Sequence, residues 1–343
     1  MKIFFKWFFI SLMMIAATVA IAIWVGQPEE VTIRTESIDS AVDLDFDRVR
    51  NHIETFSSFG SRVAGQPGSA SAAGYVERQL ASIGYDDIES TTFEVAIPKV
   101  HQADLRVQSG SETQSFRLFP LWPNLARTSQ TPVEGMTGHL VYLGEARFEE
   151  MEGRPIEDSI CFLDWDAEEE WTRIPELGGR AIVFLGDTPS TGWEARKKFL
   201  TIPADVPRFY LTDENSKTIR EILNQQRLEG AIQCRMDWDR AIEKNFLVRI
   251  PSATRETESP IAFQAHYDSV SMVPEISPGA EQAIGASTLL EFTRFLKESD
   301  GALPRPIHIL FTGGHGTGME GMIDYIESVK EGDKKNRPAL VVS

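Results

Sequence analysis

Ile261-Ala262-Phe263-Gln264-Ala265 runs directly into His266-Tyr267-Asp268-Ser269, and Ile307-His308-Ile309-Leu310-Phe311-Thr312 runs into Gly313-Gly314-His315-Gly316. Each apolar run has the length of a strand, and each ends in a turn that carries a histidine. Between them, Ala283 to Lys297 has helical spacing, with Leu289, Leu290, Phe292, Phe295 and Leu296 forming an apolar stripe. Strand, helix and strand in that order predict a parallel unit with a right-handed crossover. In such sheets ligands gather beyond the carboxyl ends of the strands. Both histidine turns are expected there.

Residues i and i+2 of an extended segment share a face, so Asp268 is expected beside the His266 ring. A carboxylate that holds one ring nitrogen fixes the tautomer and leaves the other nitrogen free for a metal. An isolated His-x-Asp is also what an ordinary polar turn after a strand looks like, so the context has to carry the reading.

Three segments in order supply that context. Ala265-His266-Tyr267-Asp268-Ser269 resembles the first site motif of the co-catalytic dizinc aminopeptidase family, which includes bacterial aminopeptidases, glutamate carboxypeptidase and the non-enzymatic transferrin receptor. Pro278-Gly279-Ala280, with Glu281 and then Gly285, is similar to the family's Gly-Ala turn, where an Asp bridges the metals. Gly314-His315-Gly316-Thr317-Gly318-Met319-Glu320-Gly321 takes the place of the family's Glu-Glu pair and the glycine turn after it. Upstream, Ser61-Arg62-Val63-Ala64-Gly65-Gln66-Pro67-Gly68-Ser69, a helix over Ala70 to Ile83, and a strand over Thr91 to Ile97 resemble the family's amino-terminal segment. The stretch from about Thr131 to Asp239 is similar to the protease-associated domain inserted in many members. It is carried by Gly138 to Gly144, Gly178 to Phe184 and Ile202 to Leu211, with a helix over Glu214 to Asn224.

The resemblance implies an α/β fold: a zinc-exopeptidase-like three-layer sheet domain with an inserted, mostly β, protease-associated domain. It implies zinc as cofactor and hydrolysis of amino-terminal peptide bonds. By the same resemblance, His266 and Glu281 are the candidate metal ligands, Asp268 orients His266, and His315 stands near the position of the catalytic base. The family uses two His, two Asp and one Glu as ligands and a second Glu as base. This chain departs from that pattern. Glu281 is one methylene longer than the bridging Asp. The Glu-Glu pair is replaced by His315 and Gly316, or by Gly314 and His315 in a register one residue earlier. Glu320 lies beyond the glycine turn and is expected to face away. The family's remaining Asp and His follow the next strand, which here begins at Pro338-Ala339-Leu340-Val341-Val342 and is the last of the sequence. Zinc sites normally present three or more protein ligands. The expectation is therefore a chain that is inactive as it stands, with a peptide- or protein-binding role. The alternative is a fragment of a zinc-dependent aminopeptidase. A strand in that place leaves an apolar sheet edge, which a partner would cover if the chain is not a fragment.

Met1 to Val25 reads as a targeting segment. Lys2 and Lys6 precede a run from Trp7 to Val25 without charge, and Glu29-Glu30 follow it. Such a run nearly crosses a bilayer core, and the flanking charges place the amino terminus inside and the body outside. The reading is a single-pass membrane protein with an extracytoplasmic body. The alternative is a secreted protein cleaved near Ala20-Ile21-Ala22. The expected organisation is a signal anchor at 1–26, a flexible tether at 27–43, the amino-terminal part of the peptidase-like domain at 44–130, the protease-associated-like domain at 131–240 and the peptidase-like core at 241–343.

The formal net charge of −17 over 343 residues argues against nucleic acid as a partner. Cys161, inside Ser159-Ile160-Cys161-Phe162-Leu163, reads as a buried inert thiol. A pairing with Cys234 is permitted in an oxidising compartment but not implied by the sequence. Asp164 to Trp171 reads as a solvated acidic loop, since it lacks the alternating Asp and glycine of a calcium loop. His139 and His308 lie within strands and read as structural.

Overall fold

A computed structural model describes residues 44–186, 195–199, 204–225, 228–252, 258–299, 303–332 and 337–343. The expected anchor and tether lie outside the described residues. Among the described residues, no helix is long and apolar enough to cross a membrane.

The chain enters through α1 (Phe46–Ser58), capped by Asp45, whose side chain accepts from the Asp47 and Arg48 amides at 3.0 and 3.1 Å. Helix α2 (Pro67–Ile83) starts with a proline in its first turn and ends on Gly84 at φ 97°, a left-handed stop that favours glycine. Its residues Ala72, Val76 and Leu80, spaced four apart, are all fully buried.

The strands are β1 (Glu89–Ser109), β2 (Glu112–Arg117), β3 (Phe119–Pro120), β4 (Met136–Tyr142), β5 (Ile160–Asp164), β6 (Ala181–Leu185), β7 (Arg208–Leu211), β8 (Leu228–Ile250), β9 (Ile261–His266), β10 (Ile307–Thr312) and β11 (Leu340–Val342). They form one sheet in the order β11-β9-β10-β8-β4-β5-β6-β7-β3, with β1 paired to both β8 and β2. Besides short helical turns such as Phe148–Met151 and Arg173–Glu176, the longer helices that follow among the described residues are α3 (Asp213–Gln225), α4 (Ala283–Glu298) and α5 (Glu320–Glu331).

Strand β8 organises the molecule. Its carboxyl half pairs antiparallel with β10, from Ile307↔Ile250 to Phe311↔Phe246. Its amino half pairs with β4, from Met136↔Ile232 to Leu140↔Leu228. Along nearly its whole length it pairs with β1, with one register shift between Val100 and Gln102. Leu44–Ser343 form one compact unit, and the segment read as an insertion is hydrogen-bonded into the same sheet as the peptidase-like part.

The β9–α4–β10 unit is as the periodicity predicts. β9 and β10 are parallel, from Ile307↔Ile261 to Thr312↔His266. Helix α4 buries Ala283, Ala286, Leu289 and Leu290 against a core that contains Phe56, Val76, Leu80, Phe246 and Phe311. Phe292 packs on Phe263, with ring centroids 5.0 Å apart. At the far edge, β11 pairs in parallel with β9, and its Leu340, Val341 and Val342 are exposed.

One expectation is corrected. Asp164 to Trp171 is not simply a solvated loop. Trp165, Ala167 and Trp171 are buried in the core beneath β5 and β6, and Asp164 pairs with Arg220 and Tyr142. Only Asp166, Glu168 and Glu169 are fully at the surface. The charges drew the reading toward solvent, but the two indoles bury enough apolar area to decide the matter. Both cysteines are free and buried, and burial pushes each thiol up to about 12.

Candidate active site

The parallel register sets Thr312 beside His266, so the two histidine turns leave the same end of adjacent strands. Asp268 sits between them, fully buried. One of its carboxylate oxygens lies 3.2 Å from His266 Nδ1, and the other accepts the His315 backbone N–H at 2.9 Å. His266 Nδ1 also lies 3.2 Å from the Asp268 carbonyl oxygen. His266, Asp268 and His315 are thus brought together, with His266 Nε2 on the side away from the carboxylate.

The two imidazoles are stacked, with centroids 4.0 Å apart and planes 6° from parallel. Burial lowers the His315 pKa, the neighbouring His266 lowers it further, and Asp268 partly offsets both.

Behind the pair lies a frame of buried polar groups. Arg62 is fully buried. Its guanidinium donates to the carbonyls of Tyr267 at 3.0 Å and Gly279 at 3.0 Å, and also to that of Pro278. It therefore ties the His266 turn to the turn that precedes α4. Desolvation lowers the Arg62 pKa to about 10, against the opposing attraction of Asp268. Gln282 makes a second tie, donating to the Val270 carbonyl at 2.9 Å and accepting from the Val270 amide. Ser269 donates to the Ser277 carbonyl at 3.1 Å, and its backbone amide donates to Arg62 O at 3.0 Å.

Glu281 does not join the histidines. It is exposed on the turn before α4, and its carboxylate makes no hydrogen bond or ion pair among the described residues. Glu320 is the first residue of α5, past Gly318 and Met319, both in left-handed conformation at φ 99° and 62°. His308, read as structural, is buried within β10 with Nδ1 3.1 Å from the Tyr325 hydroxyl. His139 is exposed, 3.9 Å from Glu229.

The residues present do not fit a zinc centre as they stand. A ring-nitrogen lone pair lies in the plane of its imidazole, and two nearly parallel planes 4.0 Å apart do not converge on one ion. His266 and His315 would have to unstack to share a metal. Among the described residues, no group of three or more His, Cys, Asp or Glu side chains is placed to hold one.

Arg62 and Gln282 are site-framing residues that the sequence did not single out, and Glu243 is a buried carboxylate nearby, repelled by Asp268. Arg62 stood in a quoted motif but carried no chemical signal. Glu243 lies within a strand whose pairing is visible only in three dimensions.

Residues 245–342 match the model of peptidase family M28. The fold resembles that of BSAP, a zinc aminopeptidase from Bacillus subtilis, with a TM-score of 0.59 and 16% identity over 86% of this chain and 67% of that one. It also resembles a peptidase M28 precursor from Shewanella amazonensis SB2B, with a TM-score of 0.56 and 16% identity over 84% of this chain and 69% of that one. Comparison with curated proteins gives no match. At these identities the likeness to solved structures is one of fold. The family match covers β9, α4, β10 and both histidine turns, less than a third of the chain.

Proposed function

We propose that this chain is a zinc-aminopeptidase-like protein that has exchanged hydrolysis for a peptide- or protein-binding role. The observation that carries this reading is the face-to-face stack of His266 and His315 over Asp268. A dizinc hydrolase needs converging ligands and a carboxylate base for metal-bound water. Here the strand-end positions hold a stacked imidazole flanked by glycines, and the carboxylate in the bridging place, Glu281, points to solvent exposure rather than to the histidines. The binding half of the reading is supported by apolar residues left exposed from the second histidine turn into α5: Met319, Ile323 and Ile326, at helical spacing. We also propose that the segment 131–240 serves as the protease-associated-like part, and that 1–26 anchors the chain with its body outside the cytoplasm.

The test is the metal content of the full chain, purified in mild detergent and dialysed against metal-free buffer. Less than one zinc per chain, unchanged in His266→Ala, is expected, together with no turnover of chromogenic amino-acid amides. Two zinc ions per chain, lost in His266→Ala, would overturn the reading.

A second reading, a zinc-dependent aminopeptidase, is favoured by the His266–Asp268 pair, in which the carboxylate holds Nδ1 and leaves Nε2 available to a metal. Turnover of the same amides that depends on added zinc and on His266 would favour it.

A further inference from the structure

A cavity of about 400 Å³ opens between α2 and the carboxyl half of β8, with Tyr267 in its lining. Its walls are apolar, built from Pro67, Ala70, Ala73, Ala241 and Ile242, and Glu243 lies in its lining. The Glu243 side chain is buried, with 4% of the residue exposed. Its carboxylate accepts from the Gly65 amide at 2.9 Å and from the Ser69 hydroxyl at 2.9 and 3.1 Å. The Tyr267 side chain also hydrogen-bonds it, and all three partners are neutral.

No cation answers this charge among the described residues: Glu243 takes part in no ion pair. Arg62, the buried guanidinium nearby, is committed to the carbonyls of Tyr267, Pro278 and Gly279. The surrounding field is negative. Asp268 repels the Glu243 carboxylate, and Glu77 adds a second acid to the cavity lining. Lys244 also lines the cavity, but it is exposed to solvent. Desolvation raises the Glu243 pKa, and Asp268 raises it further against the Gly65 and Ser69 hydrogen bonds. On the β10 side the carboxylate is closed off: a Cβ on Gly313 would meet Glu243 Oε2 at 2.9 Å and Tyr267 Oη at 2.7 Å. A carboxylate accepts at about four lone-pair sites, and the neutral donors fill only part of them.

A buried anion without a counter-charge, beside an open apolar cavity, is a site for a cation with a hydrocarbon body. We propose that the cavity between α2 and β8 binds a small primary alkylammonium ion, with Glu243 receiving the ammonium and Pro67, Ala70, Ala73 and Ile242 receiving the alkyl chain. The ammonium supplies three donors. The cavity holds an alkyl chain of a few carbons, the size of a lysine side chain. This inference does not rest on the reading of the histidine site.

Glu243 also sits at the amino terminus of α2, where a carboxylate bonded to Gly65 and Ser69 serves the helix. Glutamine keeps an acceptor for both bonds and removes the charge, so Glu243→Gln separates the two roles. Ala70→Trp fills the cavity from an exposed helical position and leaves Glu243 untouched.

The experiment is calorimetric titration of the full chain, in nonionic detergent at neutral pH, with n-butylammonium chloride and in parallel with 1-butanol. Saturable one-to-one binding of butylammonium in the millimolar range is expected, with butanol at least about tenfold weaker, as a charge-assisted hydrogen bond implies. Glu243→Gln and Ala70→Trp, each checked for an unchanged melting transition, are each expected to weaken butylammonium binding by about tenfold or more. Absence of saturable binding to the unaltered chain, or binding retained by either folded variant, overturns the proposal. If Glu243→Gln fails to fold, Ala70→Trp alone decides.

Discussion

His266 and His315 lie face to face across the carboxyl ends of two adjacent parallel strands, with ring centroids 4.0 Å apart. The stack depends on Asp268, which touches the ring of one histidine and the backbone amide of the other. Planes this close to parallel turn the in-plane lone pairs of the two rings away from any shared point.

Arg62 is expected to be the most sensitive residue of the frame. It is fully buried and serves three carbonyls on two different turns. Arg62→Met would leave those carbonyls without a donor and remove the positive charge near buried Asp268. A loss of about 3 kcal/mol or more is expected, the usual cost of breaking a buried charged network. Urea denaturation followed by tryptophan fluorescence measures it. A loss below about 1 kcal/mol would show that water or a neighbour replaces the guanidinium.

The glycines of the second turn should separate cleanly. Gly314 has φ 66°, and a Cβ there would meet Phe93 and Val95 at 3.1 Å. Gly316 has no such φ, and the three atoms nearest to a Cβ there all belong to the Val270 side chain, the first at 3.1 Å. Gly314→Ala is expected to cost about 1–2 kcal/mol or more from the left-handed backbone alone. Gly316→Ala should stay within about 1 kcal/mol, because a methyl group of Val270 can yield. Equal midpoints for the two variants in the same urea series would contradict this.

His308 gives the pH prediction. Desolvation lowers its pKa from 6.5 to about 4, with Arg249 lowering it further and Glu89 opposing. The folded state therefore resists protonation relative to the unfolded chain. The contribution is fully present above pH 6.5, falls as the pH drops toward about 4, and levels off below that. His308→Gln removes the titrating group. Thermal melts between those limits should show a steeper acid decline for the unaltered chain than for the variant. Parallel curves would exclude His308 as the source.

The same side chains mark what the sequence could and could not disclose. The β9–α4–β10 unit was legible because alternation and helical periodicity are local, and Leu289 and Leu290 fall on the buried face as spacing requires. The placement of Asp268 beside His266 was legible for the same reason, since i and i+2 share a face. That His315 would stack on His266 was not legible, because it follows from strand register and from a tight turn between Gly314 and Gly318. The reach of β8 was also hidden. Its 23 residues serve both halves of the sheet, and pairing between residues as distant as Glu89 and Leu247 leaves no local trace. Asp164 to Trp171 was misread because acidic residues at the surface masked two tryptophans facing inward.

The last prediction concerns the change that would bring the site nearest to a hydrolase. Two registers would restore a pair of carboxylates after β10. The one that uses position 314 is closed by its backbone, for the reason given for Gly314→Ala. The other is His315→Glu with Gly316→Glu, which removes the stacked ring and whose added Cβ at position 316 first meets Val270, at 3.1 Å. The double variant would hold two new carboxylates near His266. Neighbouring charge works against it, since buried Asp268 accepts from the backbone amide of position 315 and buried Glu243 is close enough to be repelled by Asp268. Like charges so placed are relieved by a bound cation or by protonation. The double variant is therefore expected to take up more zinc than the unaltered chain, up to one ion, with His266 as a ligand. It is not expected to hydrolyse amino-acid amides, because Glu281 stays at the surface before α4, where Gln282 is pinned to Val270, and does not reach a second ion. Zinc content after dialysis and turnover of a chromogenic leucine amide measure the two halves separately. Zinc-dependent turnover by the double variant would show that the turn before α4 can close on the histidines, and that the frame built by Arg62 and Gln282 is less rigid than its hydrogen bonds imply.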